Sequence, residues 1–282
     1  MTAADSRPLH DAQPPIRPPR RWLSRRRRAR LIRWATYLLT IGVIVALALI
    51  VDWARIQDKM FRLDLVADQF PSIVTQAARN TLIFTAFGFA GGLALGLALA
   101  LMRLSTFRPY RWFAAVYIDA LRGLPALLVL IFIAFGLPIA LGVRIPGTYG
   151  RGSLALAIVS SAYIAETIRA GIEAVPRGQT EAARSLGMSH RQALQRIILP
   201  QAFRIIIPPM TNELVLLLKD TALISVIGVT AGTKELTRFG RDGVNLTANA
   251  TPLIVAGLVY LALTIPMTRL AGYLERRAKV SR

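Results

Sequence analysis

The 282-residue chain contains no cysteine. That excludes a disulfide framework, a thiol nucleophile and any cysteine-ligated metal site, and leaves the redox compartment open. Histidine is nearly as scarce: His10 and His190 lie far apart, so no histidine pair is available for metal binding or proton transfer. No glycine-rich phosphate loop of the form G-x-x-x-x-G-K-[ST] is present. Gly228 to Lys234 comes nearest, but its spacing is short and Thr233 stands before the lysine. Catalytic triads and carboxylate arrangements on a soluble scaffold are also missing. The expectation is a chain that is not an enzyme, with no catalytic residue, no metal and no cofactor of its own. Acidic residues are few as well, 15 Asp and Glu against 35 Lys and Arg, for a net charge of +20.

What remains is apolar. Hydrophobic residues make up 54% of the chain and the mean hydropathy is +0.48, too high for an ordinary soluble domain. A charge of +20 fits nucleic acid too, but here the bases punctuate apolar runs, as they do in membrane proteins. Uncharged stretches run from Trp34 to Val51, Asn80 to Met102, Gly123 to Val143 and Gly243 to Thr268; a helix needs roughly 20 residues to cross the hydrocarbon core. Two further apolar regions carry charges: one from Gly152 contains Glu166 and Arg169, another from Ile205 contains Glu213, Lys219 and Asp220. The fold class is all-α, a polytopic membrane protein of about six transmembrane helices.

Positive charge beside a span marks the cytoplasmic side. Arg25 to Arg28, Arg30 and Arg33 precede the first span, Arg103, Arg108 and Arg111 follow the second, and Arg276, Arg277 and Lys279 close the chain. Both termini are therefore expected in the cytoplasm. Met1 to Pro19, rich in Pro and polar residues, reads as the start of a basic disordered tail over 1–30. Residues 31–52 read as an N-terminal transmembrane helix. The competing reading of that helix, a secretory signal with Ala46-Leu47-Ala48 as its small-residue site, would leave an odd number of spans.

Between the fourth and fifth spans lies a basic stretch with Arg177, Arg184, Arg191, Arg196 and Arg204 against Glu173 and Glu181. It reads as two short helices: Gln179 to Leu186, a break at Gly187, and a restart capped by Ser189 with Gln192 reaching back. Ala193, Leu194, Ile197 and Ile198 continue an apolar stripe at helical spacing, and Pro200 is expected to end the second helix. Taken alone, the segment would fit a DNA-binding helix-turn-helix. Its direct connection to membrane spans on both sides leaves no room for the third helix and independent core of such a domain.

Glu181-Ala182-Ala183, Gly187, Ile197, Leu199 and Pro200 resemble, at every spacing, the EAA signature of ABC importer permeases. The resemblance extends over about 71–277 and narrows to the polar amino acid group through Asn80-Thr81-Leu82, Leu121-Arg122-Gly123-Leu124-Pro125, Ser161 to Glu166 and Leu218-Lys219-Asp220-Thr221. Leu124, Val129, Glu213 and Ala222 depart from its usual residues. It implies a five-helix importer domain at 71–277 with cytoplasmic coupling helices at 176–200, the 31–52 helix being an addition. It also implies partners: a cytoplasmic ABC ATPase dimer that uses ATP and Mg, a second permease copy, identical or related, an extracytoplasmic solute-binding protein, and the lipid of a bacterial inner membrane, with no nucleic acid. In such a protein Glu181 faces the ATPase, Ala182 and Ala183 allow close approach, and Gly187 makes the bend. Methionine and inorganic anions are the alternative solutes, and an ion-driven secondary transporter is the alternative class.

Charges inside a span cost roughly 2.5 to 3.5 kcal/mol each on insertion scales, so each needs a partner or water. Glu166 either lines a translocation path and takes the ammonium of an amino acid, or pairs with Arg169. Lys219, Asp220 and Thr221 either face the path at a helix break or form a packed polar hinge. Glu213 fits both readings.

Overall fold

A computed structural model describes residues 25–280, with side chains described for 27–277. The expected disordered tail lies outside these residues except for its end: α1 (Arg25–Ile50) already begins at Arg25, so the boundary expected at residue 30 falls inside the helix. The chain divides into two units, 1–53 and 54–282. In the first, α1 supplies a 24-residue candidate span, Arg27–Ile50, and the Trp53 indole donates to the Ala48 carbonyl at 2.7 Å, closing its C-terminal end.

The second unit begins within α2 (Trp53–Met60), continues with α3 (Leu63–Ala67), then runs through a π-turn at Ile73–Ala78 into α4 (Arg79–Leu104). After α5 (Arg108–Gly123) come α6 (Ala126–Ile131) and α7 (Leu137–Leu141), joined by a π segment at Phe132–Gly136. The long α8 (Gly147–Glu173) leads into α9 (Arg177–Ser185), α10 (His190–Ala193) and α11 (Leu199–Asp220). A 3₁₀ segment at Thr221–Val226 follows, then α12 (Leu236–Thr247) and α13 (Thr251–Val280).

The spine of this unit is α4 against α8. Gly88, Gly92 and Gly96, then Ala100, recur every four residues on one face of α4, a spacing that lets two membrane helices approach closely. A Cβ on Gly96 would sit 2.7 Å from Ile164 Cγ2 and 2.9 Å from the Ser161 backbone oxygen. Around this seam Phe84, Leu130, Leu156 and Ile224 form one apolar cluster, and Leu99, Ile118, Ile164, Ile198 and Ile206 form another. A third joins Ile73 and Ala77 to Leu236 and Ala256.

Polar side chains tie the loops to this frame. Asn80 donates its amide to the carbonyls of Gly232 and Lys234, both at 2.9 Å, while its oxygen accepts from Tyr149 at 2.5 Å. Thr81 accepts from the Leu236 amide at 3.2 Å. The Asn80-Thr81 pair thus fastens the segment before α12 onto the start of α4.

The spans differ in part from expectation. Among the described residues, four helices are long and apolar enough to cross a membrane: Arg27–Ile50, Ile73–Leu104, Gly147–Glu173 and Thr251–Arg277. A fifth crossing requires α5 together with α6 and α7, which bend by 110° at the Gly123-Leu124-Pro125 break. The remaining expected span, from Ile205, is α11, whose Arg204, Glu213, Lys219 and Asp220 make it too polar to count by composition. The uncharged run from Gly243 to Thr268 is not one helix. Ala248 turns at φ +49°, Asn249 accepts from the Thr251 amide at 2.9 Å, and α13 starts afresh with Pro252 in its first turn. Absence of charge allows a span without requiring one.

Candidate coupling and translocation sites

The basic segment folds as a helical knob. α9 ends in a left-handed Gly187 at φ +81°, with the Gly187 amide donating to Arg184 O at 3.0 Å and the Met188 amide to Ala183 O at 3.1 Å. These two bonds satisfy the last carbonyls of the helix in the Schellman pattern, which needs a left-handed residue at this place. Arg184 adds a bond to the Met188 carbonyl at 3.1 Å. The expected capping box follows: the Gln192 amide donates to Ser189 Oγ at 3.2 Å and the Ser189 amide to Gln192 Oε1 at 2.8 Å.

Pro200 corrects the sequence reading. It does not end the second helix but lies in the first turn of α11, continuous with α10 through a π segment at Leu194–Ile198. There its missing N–H costs little, and the wider π turn, with the Leu199 amide bonded to Leu194 O, makes room for the ring. α10 is therefore a continuous extension of α11, and α9 is joined to it through the Gly187 turn. Glu181 and Ala182 are exposed, whereas Ala183 is buried within the chain; of the two alanines only Ala182 offers an open surface. Gln201 of α11 donates to Gln179 of α9 at 3.4 Å. An open cavity of about 1090 Å³ lies between the knob, α11 and α13, with Gln179, Arg204, Asn212 and Glu275 in its lining.

The membrane charges sort into two kinds. Glu166 is held in a two-point pair by Arg169, Nε to Oε2 at 2.9 Å and Nη2 to Oε1 at 2.5 Å, and Arg169 also meets Glu173 at 2.5 Å. The ion-pair reading of Glu166 is the one this geometry displays. Thr221 is fully buried, its hydroxyl donating to Leu218 O at 2.6 Å and lying 3.3 Å from the Tyr260 hydroxyl; it does not share the open surface of the exposed Lys219.

Glu213 and Asp220 are half-buried and make no hydrogen bond or ion pair among the described residues. Seven residues apart on α11, they share a face. Arg122, at the α5 break, stands over the Tyr163 ring at 5.8 Å, and its charge reaches both Glu166 and Glu213. In the sequence Arg122 stands out only as part of the Leu121-Arg122-Gly123-Leu124-Pro125 motif; its place at a 110° bend is announced by no local pattern beyond the Gly123-Leu124-Pro125 triplet. The arrangement places the Arg122 guanidinium within electrostatic reach of Glu213, with Asp220 on the same face of α11 at the helix end.

Residues 92–280 match the family described as binding-protein-dependent transport system inner membrane component. Over 202 residues the chain is 41% identical to the probable glutamine ABC transporter permease protein GlnM of Bacillus subtilis (strain 168), covering 72% of this chain and 91% of GlnM. It is 40% identical over 188 residues to the arginine transport system permease protein ArtQ of the same organism, covering 67% of this chain and 84% of ArtQ. A solved amino acid ABC transporter crystallised with histidines superposes with a TM-score of 0.70 at 36% identity, covering 77% of this chain and 99% of that one. The MetNI methionine ABC transporter, at 20% identity and a TM-score of 0.60, shares the fold. The chain belongs to the inner membrane components of binding-protein-dependent transport systems, and it is a multi-pass permease subunit of that family.

Proposed function

We propose that this permease subunit carries polar amino acids inward across the cytoplasmic membrane of a bacterium, driven by ATP hydrolysed in a separate ATPase dimer that uses Mg. The observation that carries the substrate class is the charge of Arg122 reaching the unpaired Glu213, which shares its face of α11 with Asp220. A zwitterion needs a cation for its carboxylate and an anion for its ammonium, and buried charges left without partners are costly unless a ligand or water meets them. The names of GlnM and ArtQ support the same class.

The exposed Glu181 and Ala182 on α9, joined through the Gly187 turn to the helix that continues into α11, support docking of the ATPase at the knob. Alternating access follows: an external binding protein delivers the solute, ATP binding draws the knobs of two permease copies together, and α11 transmits the motion to the charges along its length. Both termini lie in the cytoplasm in this arrangement, by the basic flanks of α1 and α13.

Glu213→Gln tests the path. In proteoliposomes holding the complete importer, its uptake KM is expected to rise about tenfold or more, the loss of one charged hydrogen bond, while the ATPase still co-purifies. An unchanged KM would remove Glu213 from the path. Uptake of methionine or an inorganic anion in place of polar amino acids would reassign the solute.

A further inference from the structure

Glu235 is wholly buried, yet neither the knob nor the charges of α11 use it. It caps α12: Oε1 accepts from the Arg238 amide and Oε2 from the Thr237 amide, both at 2.6 Å. Oε2 also accepts from the Tyr260 hydroxyl of α13 at 3.1 Å. The Tyr260 oxygen in turn accepts from Thr237 Oγ1 at 3.3 Å and lies 3.3 Å from Thr221 Oγ1 at the end of α11. Thr221 has already committed its own proton to the Leu218 carbonyl at 2.6 Å.

Counting hydrogens gives this chain two states, because a hydroxyl has one proton to donate. With Glu235 ionised, Tyr260 donates to the carboxylate, and its contact with Thr221 has no proton in it. With Glu235 protonated, the acid donates to the Tyr260 oxygen, which frees the tyrosine proton for Thr221. Only the second state completes every bond between α12, α13 and the end of α11.

We propose that Glu235 is a proton-operated positioning residue: a proton taken up from solvent turns the Tyr260 hydroxyl from Glu235 to Thr221 and pins the break after α11. Burial pushes the Glu235 carboxyl up to about 7, against the opposing pull of the Thr237 and Arg238 amides and the Tyr260 hydroxyl. The proton is therefore held below neutral pH and lost above it. The neighbouring charges are otherwise engaged. Lys234 and Arg238 close on Asp242 at 2.7 and 2.9 Å, and Arg238 and Arg241 reach the Ser225 carbonyl at 3.3 Å. α13 presents Tyr260, α4 presents the neutral Asn80 and Thr81, and the α11 end brings Lys219 and Asp220. The pinned segment adjoins the charges assigned above to the solute, so the device deepens that transport role.

Hydrogen exchange in the assembled importer in nanodiscs tests it without reading transport or solute, so failure of the device and failure of the transport role are distinguishable. After correction for intrinsic rates, amides of residues 221–227 are expected to be about threefold or more better protected near pH 6 than near pH 8. Thr221→Val and Tyr260→Phe, both close in shape to the native residues, should hold the low protection at either pH. Glu235→Gln, which has no proton to titrate, should abolish the difference between the two pH values. A wild-type protein with no difference, or an undiminished difference in Thr221→Val or Tyr260→Phe, would overturn the proposal.

Discussion

Gly187→Val is expected to cut ATP-driven uptake about 5- to 30-fold while the permease still inserts in the membrane. The glycine stands at φ +81° in open space, with no atom within 4 Å of a built Cβ, so the effect is one of backbone geometry alone. A non-glycine residue in the left-handed region costs roughly 1–2 kcal/mol, and a β-branched one is least tolerant. Loss of the turn releases the Gly187 and Met188 amides from Arg184 O and Ala183 O, and α9 then no longer presents Glu181 at a fixed angle to α10. Asparagine tolerates the left-handed region far better, so Gly187→Asn should retain most of the uptake. Uptake measured across Asn, Ala and Val should fall in that order. Equal activity in all three would separate the turn from the coupling of ATP to transport.

The second large effect lies in the α4–α8 seam. Gly96→Leu is expected to reduce folded, detergent-extractable permease to less than about a tenth of wild type. The added side chain meets Ile164 and, more decisively, the Ser161 carbonyl, which belongs to a helix backbone and cannot rotate away. Overpacking a well-filled core costs typically 1–3 kcal/mol even where side chains can shift; here two helices must separate along three glycine steps. Gly257→Leu on α13 is the matched control, since its Cβ would meet nothing within 4 Å. Size-exclusion yield after extraction reads both. A Gly96→Leu protein with the yield of Gly257→Leu would show that the seam does not hold the fold.

How far the sequence carried these conclusions depended on whether a feature was local. The knob was legible because caps and turns are short-range: Ser189 and Gln192 three residues apart, and a glycine after the last helical turn, leave few conformations open. Pro200 was misread because a proline that ends one helix and a proline that opens the next look alike, and the π segment joining them has no sequence signature. The spans were legible where apolar runs end in charge, and not at Ala248-Asn249, where the break lies inside an uncharged run. Thr221 looked like a path residue from its neighbours Lys219 and Asp220; its burial follows from Tyr260, 39 residues away. Glu235 gave no warning at all, because glutamate is an uncommon helix cap and nothing nearby marks it as buried.

Reconstitution decides the central point. The permease, its ATPase and its binding protein would be placed in liposomes with ATP at the ATPase face, and uptake of a panel of labelled amino acids measured with and without ionophores. Uptake of one or more polar amino acids that requires both ATP and the binding protein, and that ionophores leave unchanged, is the predicted result. Uptake that persists without ATP and collapses with an ionophore would contradict it and make the chain a secondary transporter.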